Sequence, residues 1–215
     1  TQRPGAKWFR GARLNFAENL LRYRDDRVAL VFKGEDQEAV RLTYAQLYDE
    51  VARVAKALRA MGVTADDRVV GFMPNMPQTT IAMLAATSIG AAWSSCSPDF
   101  GIKGVLDRFG QIKPKVIFTA NGYSFKGKKV DSLGRIADIL KSLPSIEKVV
   151  VVPYTDPAPD ISAVPKAELF DDFKSAEDGL TIDFAQLPFD HPLYIMYSSG
   201  TTGLPKCMVQ SAGGI

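Results

Sequence analysis

Between Leu42 and Tyr154 the hydrophobic residues switch repeatedly between helical and strand-like spacing, and that alternation leaves few folds open. In "LTYAQLYDEVARVAKALRAMG" the residues Tyr44, Leu47, Tyr48, Val51, Val54, Ala55, Leu58 and Met61 recur at helical intervals. Thr43 and Gln46 have the arrangement of a capping box, and Gly62 supplies the stop. The strand-like "DRVVGFM" (Asp67 to Met73) follows, then a helix of small residues from about Met76 to Ile89, then a short strand, "AAWSSCS". Ser97 and Pro98 suit the N-cap and first-turn positions of a helix whose buried stripe is Ile102, Val105, Leu106 and Phe109, up to the break at Pro114. The order then repeats. Strand "KVIFTA" (Lys115 to Ala120) precedes a helix bearing Leu133, Ile136, Ile139, Leu140 and Leu143, and strand "KVVVVPY" (Lys148 to Tyr154) follows it. Helices alternating with short Val/Ile-rich strands predict an α/β fold, a largely parallel sheet flanked by helices on both faces. Such sheets bind ligands beyond the carboxyl ends of their strands.

The remaining segments are less regular. The first forty residues accommodate a short helix from Asn15 to Tyr23, a strand from Val28 to Phe32, a turn at Gly34 and a partner strand near Val40, packed on the sheet domain. From Pro153 to Pro188 five prolines and many acidic residues predict a solvated surface excursion, with at most a short helix around Phe170 to Ser175. No repeat or low-complexity tract interrupts the chain.

Composition narrows the functional classes. With 215 residues, 46% of them hydrophobic and 23% charged, the chain has enough apolar material for a core and is not a disordered sequence. A formal charge of only +2, without a dominant Lys/Arg cluster, gives no basis for duplex nucleic-acid binding, while leaving a phosphorylated small molecule open. Cys96 and Cys207 lie too far apart in sequence to suggest a disulfide framework and fit a reducing compartment. One histidine, His191, excludes a His-rich metal site. The longest largely apolar run, Ile81 to Trp93, is too short to span a bilayer, so no membrane insertion is expected. No signal peptide is visible in a chain that opens on Thr1.

The stretch with the most chemistry is "YSSGTTGLPK", Tyr197 to Lys206. It follows the strand-like "LYIMY" and leads into another extended segment, "LPKCMVQS", with no helical pattern behind it. Gly200 and Gly203 permit positive φ and close ligand approach, so successive backbone N–H groups can converge into an anion-binding concavity. Ser198, Ser199, Thr201 and Thr202 add hydroxyl donors, and Lys206 adds a full positive charge. This composition suits the terminal phosphates of a nucleotide. The spacing differs from the G-x-x-x-x-G-K-[ST] pattern and lacks its helix, which disfavours a P-loop kinase or GTPase.

That motif resembles the phosphate-binding loop of the adenylate-forming enzymes. "WFRGARLNFAENLL", "GFMPNMPQTTIAMLAATSIGAAWSSCSPDFG", "GVLDRFGQIKPKVIF" and "HPLYIMYSSGTTGLPKCMVQSAGG" resemble, within them, the acetoacetyl-CoA synthetase family. The resemblance implies an acid–thiol ligase in the cytosol. Acetoacetate attacks the α-phosphate of ATP to give acetoacetyl-AMP and pyrophosphate, and coenzyme A then displaces AMP. It assigns Ser199, Gly200, Thr201, Thr202 and Gly203 to the cradle for ATP phosphates, and Lys206 to neutralising phosphate charge as the catalytic residue of this stretch. Mg²⁺ would bridge phosphate oxygens, with its protein ligand outside this chain. By the same resemblance, residues 1–40 form an N-terminal helix and hairpin segment, and residues 41–215 the first part of the AMP-binding domain, ending just past the phosphate loop. Such a piece would be inactive alone. The open alternatives are another short-chain acyl-CoA synthetase or a non-catalytic nucleotide-binding or interaction protein.

Other residues carry weaker signals. Where the family reads Val-His-Ser after the lysine, this chain has Val209, Gln210 and Ser211, and glutamine does not titrate as imidazole does. "YSFKGKKV" aligns with a stretch that in related enzymes meets the nucleotide part of coenzyme A, so Lys128, with Lys126 and Lys129, is either a coenzyme A contact or part of a solvated lysine loop. Trp93 reads as core rather than acyl-pocket wall, both cysteines as packing residues without a visible base, and His191 as the end of the preceding loop.

Overall fold

The computed structural model describes residues 8–35, 37–198 and 203–215. In chain order the elements are β1 (Arg13–Leu14), α1 (Phe16–Leu20), β2 (Val28–Phe32), β3 (Val40–Thr43), α2 (Tyr44–Ala60), β4 (Arg68–Phe72), α3 (Pro77–Ser88), β5 (Ala92–Cys96) and α4 (Ile102–Ile112). They continue with β6 (Val116–Ala120), β7 (Gly122–Phe125), β8 (Lys128–Asp131), α5 (Leu133–Ser142), β9 (Lys148–Val152), β10 (Ala167–Leu169), α6 (Phe170–Phe173), β11 (Leu187–Pro188), β12 (Pro192–Ser198) and β13 (Lys206–Ser211).

The central sheet has the order β10-β9-β6-β4-β5-β12-β13. Every neighbouring pair from β10 to β12 is parallel, and β13 closes the edge antiparallel to β12. Strand side chains alternate between two cores, as the two-residue pleat requires. Val69, Phe118, Val150 and Val152 pack with α2, α3 and α6, whereas Val70, Phe72, Ile117, Val149 and Val151 pack with α4 and α5. Both sheet faces are therefore covered, which is why these strands read as unbroken apolar runs.

Local chemistry sets the helix ends. In α2 the Thr43 hydroxyl accepts from the Gln46 N–H at 3.2 Å and the Gln46 side chain accepts from the Thr43 N–H at 2.9 Å, completing the expected capping box. Gly62, at φ +72°, ends that helix in the left-handed region. Helix α3 is buried nearly all round, against the sheet on one side and α1 and α2 on the other.

Two expectations are corrected. Ser97 and Pro98 do not start α4: the N-cap is Gly101, whose carbonyl accepts from the Val105 N–H at 3.1 Å. The Ser97 hydroxyl is bonded instead to the Asp99 carboxylate, and the Phe100 N–H returns to the Ser97 carbonyl at 3.2 Å, so residues 97–100 make a turn before the helix begins. The segment from Pro153 to Pro188 is more than a solvated connection. It supplies β10 to the sheet edge and buries Val164, Phe170, Phe173 and Ile182, although its short helix falls where expected. The β7–β8 hairpin has no counterpart in the sequence reading, because its alternation is masked by lysines.

Candidate phosphate and acyl-transfer site

All six parallel strands end on the same side of the sheet. The connection leaving β4 turns to the α3 face and the one leaving β6 turns to the α5 face, which opens a crevice between adjacent strand ends. A cavity of about 520 Å³ lies there, lined by residues following β4 (Met73, Asn75), β5 (Ser97, Asp99) and β9 (Tyr154), and by Tyr123 of β7. A second cavity of about 440 Å³ lies between the ends of β5 and β12, where Arg108, Tyr194 and Tyr197 meet. The two share Ser95, Cys96 and Ser97, so the crevice runs along the carboxyl ends from β4 to β12.

The turn between β5 and α4 forms the middle of this crevice and is held from both sides. Arg135 of α5 donates to the Pro98 carbonyl at 2.6 Å, and the Arg108 guanidinium carbon lies 4.3 Å from the centre of the Phe100 ring. Nearby, buried Asn121 ties the exit of β6 to the exit of β9: its side-chain oxygen accepts from the Tyr154 N–H at 2.6 Å and the Thr155 N–H at 3.1 Å.

The predicted phosphate loop spans the turn of the β12–β13 hairpin. Its last rung pairs Ser198 with Lys206, so the described ends of that stretch lie at the carboxyl end of the sheet, beside the crevice. Ser199, Gly200, Thr201 and Thr202 lie outside the described residues. Gly203 has φ +89° with open space where a side chain would begin, the conformation for which glycine was expected. Lys206 is exposed at the start of β13. Gln210 pairs with Tyr194 farther along the same ladder.

Electrostatics in the crevice favour neutral groups around one cation. Burial pushes the Cys96 thiol up to about 12, against the opposing charge of Arg108. Burial likewise raises the phenols of Tyr194 and Tyr197 to about 12. Arg108 is the charged side chain on the second cavity among the described residues. Cys96 therefore stays a protonated packing residue near neutrality, as its sequence context suggested. Trp93 is buried in the core and also lines the second cavity. The His191 ring nitrogen lies 2.8 Å from the Gly90 carbonyl, at the amino end of β5 and so at the opposite end of the sheet from the loop.

The basic stretch is a hairpin rather than a free loop. Lys126 and Gly127 occupy left-handed positions at φ 51° and 73°, giving a two-residue turn of the kind that joins tight antiparallel strands. Both turn N–H groups donate to the Glu35 carboxylate, at 3.2 and 3.0 Å. Lys129 is committed to the Thr155 carbonyl at 2.9 Å, and Lys126 lies 5.2 Å from the Phe125 ring. Lys128 is exposed and has no ion-pair partner among the described residues.

A family model described as AMP-binding enzyme matches residues 16–215. The chain belongs to the AMP-binding enzyme family. Among AMP-binding enzymes it is 52% identical over 215 residues to acetoacetyl-CoA synthetase of Mus musculus, with 97% of this chain covered. It is 50% identical over 210 residues to the acetoacetyl-coenzyme A synthetase of Rhizobium meliloti (strain 1021). The solved acetoacetyl-CoA synthetase from Streptomyces lividans superposes with a TM-score of 0.90 at 44% identity, covering 99% of this chain. In each case the chain spans about a third (32%) of the relative's length. A shared fold does not by itself locate the chemistry, and the crevice with its hairpin is the candidate site in this chain.

Sequence reasoning missed the groups that contact the described residues on either side of the loop. Arg108 and Gln111 of α4 both reach the β12–β13 hairpin. Their only sequence signal is a spacing of three, which puts them on one helix face.

Proposed function

We propose that this chain forms the phosphate-handling part of an acetoacetate–CoA ligase. A carboxylate oxygen of acetoacetate attacks the α-phosphorus of ATP, the bond to the bridging oxygen breaks, and its electron pair leaves with pyrophosphate. The thiolate of coenzyme A then attacks the acyl carbon and AMP departs with the mixed-anhydride oxygen. Ser199, Gly200, Thr201, Thr202 and Gly203 cradle the β- and γ-phosphates through backbone N–H and hydroxyl donors, and Lys206 neutralises the charge that accumulates on the leaving pyrophosphate. Lys128 meets the 3′-phosphate of coenzyme A. Its exposure on the crevice-side hairpin, without an ionic partner among the described residues, supports that role. Residues 1–40 act as a leading helix and hairpin segment, and 41–215 as the first part of the adenylation domain.

The observation that carries the reading is the placement of Gly203 and Lys206 on the hairpin at the carboxyl end of the sheet, beside the crevice, in a chain about half identical to proteins named acetoacetyl-CoA synthetase. Mg²⁺ bound with ATP would supply counter-charge to its phosphates. Among the described residues no group of three His, Cys, Asp or Glu side chains gathers to hold a metal, so no step here is assigned to it. Among the described residues no helix is long and apolar enough to cross a membrane, which is compatible with work in the cytosol on small water-borne substrates.

The test is acetoacetate-dependent ATP–pyrophosphate exchange by the synthetase of full family length that carries this chain, with acetate as competing acid. Exchange should prefer acetoacetate and fall by about a hundredfold or more in Lys206→Ala. A folded protein that exchanges with no short acid would overturn the reading.

A further inference from the structure

Helix α4 grips the phosphate hairpin at both ends. At the exit, the Gln111 amide Nε2 donates to the Pro205 carbonyl at 2.9 Å and to the Asp107 carbonyl of its own helix at 2.6 Å. Its Oε1 accepts from the Cys207 S–H at 3.5 Å. One side chain thus bonds the residues on both sides of Lys206. At the entry, Arg108, one turn earlier on the same face, has its guanidinium carbon 5.7 Å from the centre of the Tyr197 ring while its Nη1 donates to the Gly104 carbonyl at 2.8 Å. The strand ladder does not fix the exit by itself. Its last rung is Ser198 to Lys206, and Pro205 has no N–H with which to extend it.

We propose that Gln111 is a positioning residue for Lys206, acting through the Pro205 and Cys207 backbone and side-chain bonds to hold the lysine at the phosphates. The proposal rests on the adenylation reading above. Gln111 and Cys207 are both exposed, so these bonds contribute little to folding and their loss is read out in ligand handling instead.

The experiment compares Gln111→Met and Gln111→Glu in the full-length synthetase, each alone and in the Lys206→Ala background. Gln111→Met keeps the length of the side chain and removes its donor and amide acceptor; Gln111→Glu retains an acceptor for Cys207 but not the donor for Pro205. Both should raise the KM for ATP in pyrophosphate exchange by roughly three- to tenfold, leaving the KM for acetoacetate and the melting temperature unchanged. In the Lys206→Ala background neither should add a further loss, because no lysine remains to be positioned. Unchanged ATP kinetics in folded Gln111→Met, an equal loss in both backgrounds, or a parallel rise in all KM values with a lowered melting temperature would each overturn the proposal. If the parent protein exchanges with no acid, the adenylation reading fails separately. MgATP affinity by calorimetry then decides the positioning role, with equal affinity for parent and Gln111→Met refuting it.

Discussion

Asn15 joins three separate pieces of chain with one buried amide. Its Nδ2 lies 3.1 Å from the Thr87 carbonyl, 3.0 Å from that of Ser88 and 2.9 Å from that of Ala185, while its Oδ1 accepts from the Glu18 N–H at 3.1 Å as the N-cap of α1. The carbonyls at 87 and 88 belong to the last turn of α3, where the Gly90 N–H also reaches Thr87 at 3.1 Å and the Ala185 N–H reaches Ser88 at 2.9 Å, so Asn15 ties an end that is capped from several sides. Asn15→Ala should therefore remove the α1 cap and the bridge to the Ala185 carbonyl, and lower unfolding free energy by about 1–3 kcal/mol, measurable by urea denaturation. Asn15→Asp should not rescue it, since a carboxylate offers those carbonyls no donor. At this scale the sequence was informative where a residue type has one dominant use. Gly203 adopts the positive φ that its place in a tight loop implied, and Thr43 and Gln46 form their reciprocal cap. Gln111 was not legible, because an exposed glutamine on a helix shows its purpose only when the hairpin it bonds is folded beside it.

Among the elements, the parallel strands and their crossover helices were legible because both periods are strong and each element is covered on its own face. The exceptions have physical causes. Strand β10 is three residues long and owes its existence to the edge of β9 rather than to any propensity of Ala-Glu-Leu. The β7–β8 hairpin hides behind lysines whose charges are tolerated because they point to solvent or, for Lys129, to a carbonyl. Close packing between elements also sets a demand that no periodicity reveals. Gly71 of β4 lies under the Trp93 ring of β5, where an added Cβ would come within 2.8 Å of the indole. Gly71→Ala should push the ring from its place and destabilise by about 1–3 kcal/mol. Because Trp93 also lines the second cavity, a shift in tryptophan fluorescence should accompany the change.

For the whole molecule, a buried thiol and two half-buried phenols with raised pKa values set a common alkaline limit. Cys96, Tyr194 and Tyr197 stay protonated in the folded chain up to about 12, against ordinary values of 9.0 for the thiol and 10.0 for the phenols. Their contribution to stability is complete below those ordinary values. It is lost as pH rises from about 9 toward about 12, because the unfolded chain releases these protons first. The midpoint of urea unfolding should be flat from neutrality to pH 8 and then fall, and Cys96→Ala should remove the part of the slope that begins lowest. A decline that starts below pH 8 would contradict this account.

The register of the sheet has a consequence in time. Trp93 of β5 pairs with Tyr194 of β12, and the Ser94 hydroxyl donates to the Ile195 carbonyl across 101 residues of sequence. Every other strand of the parallel set is made before β12 leaves the ribosome, yet β5 then has one edge without a neighbour. Strand β12 is thus the last of the parallel strands to dock, and it docks by closing the longest loop among the parallel pairings. Newly made chains pass through a state in which the β4 and β5 walls of the crevice exist and the β12 wall does not.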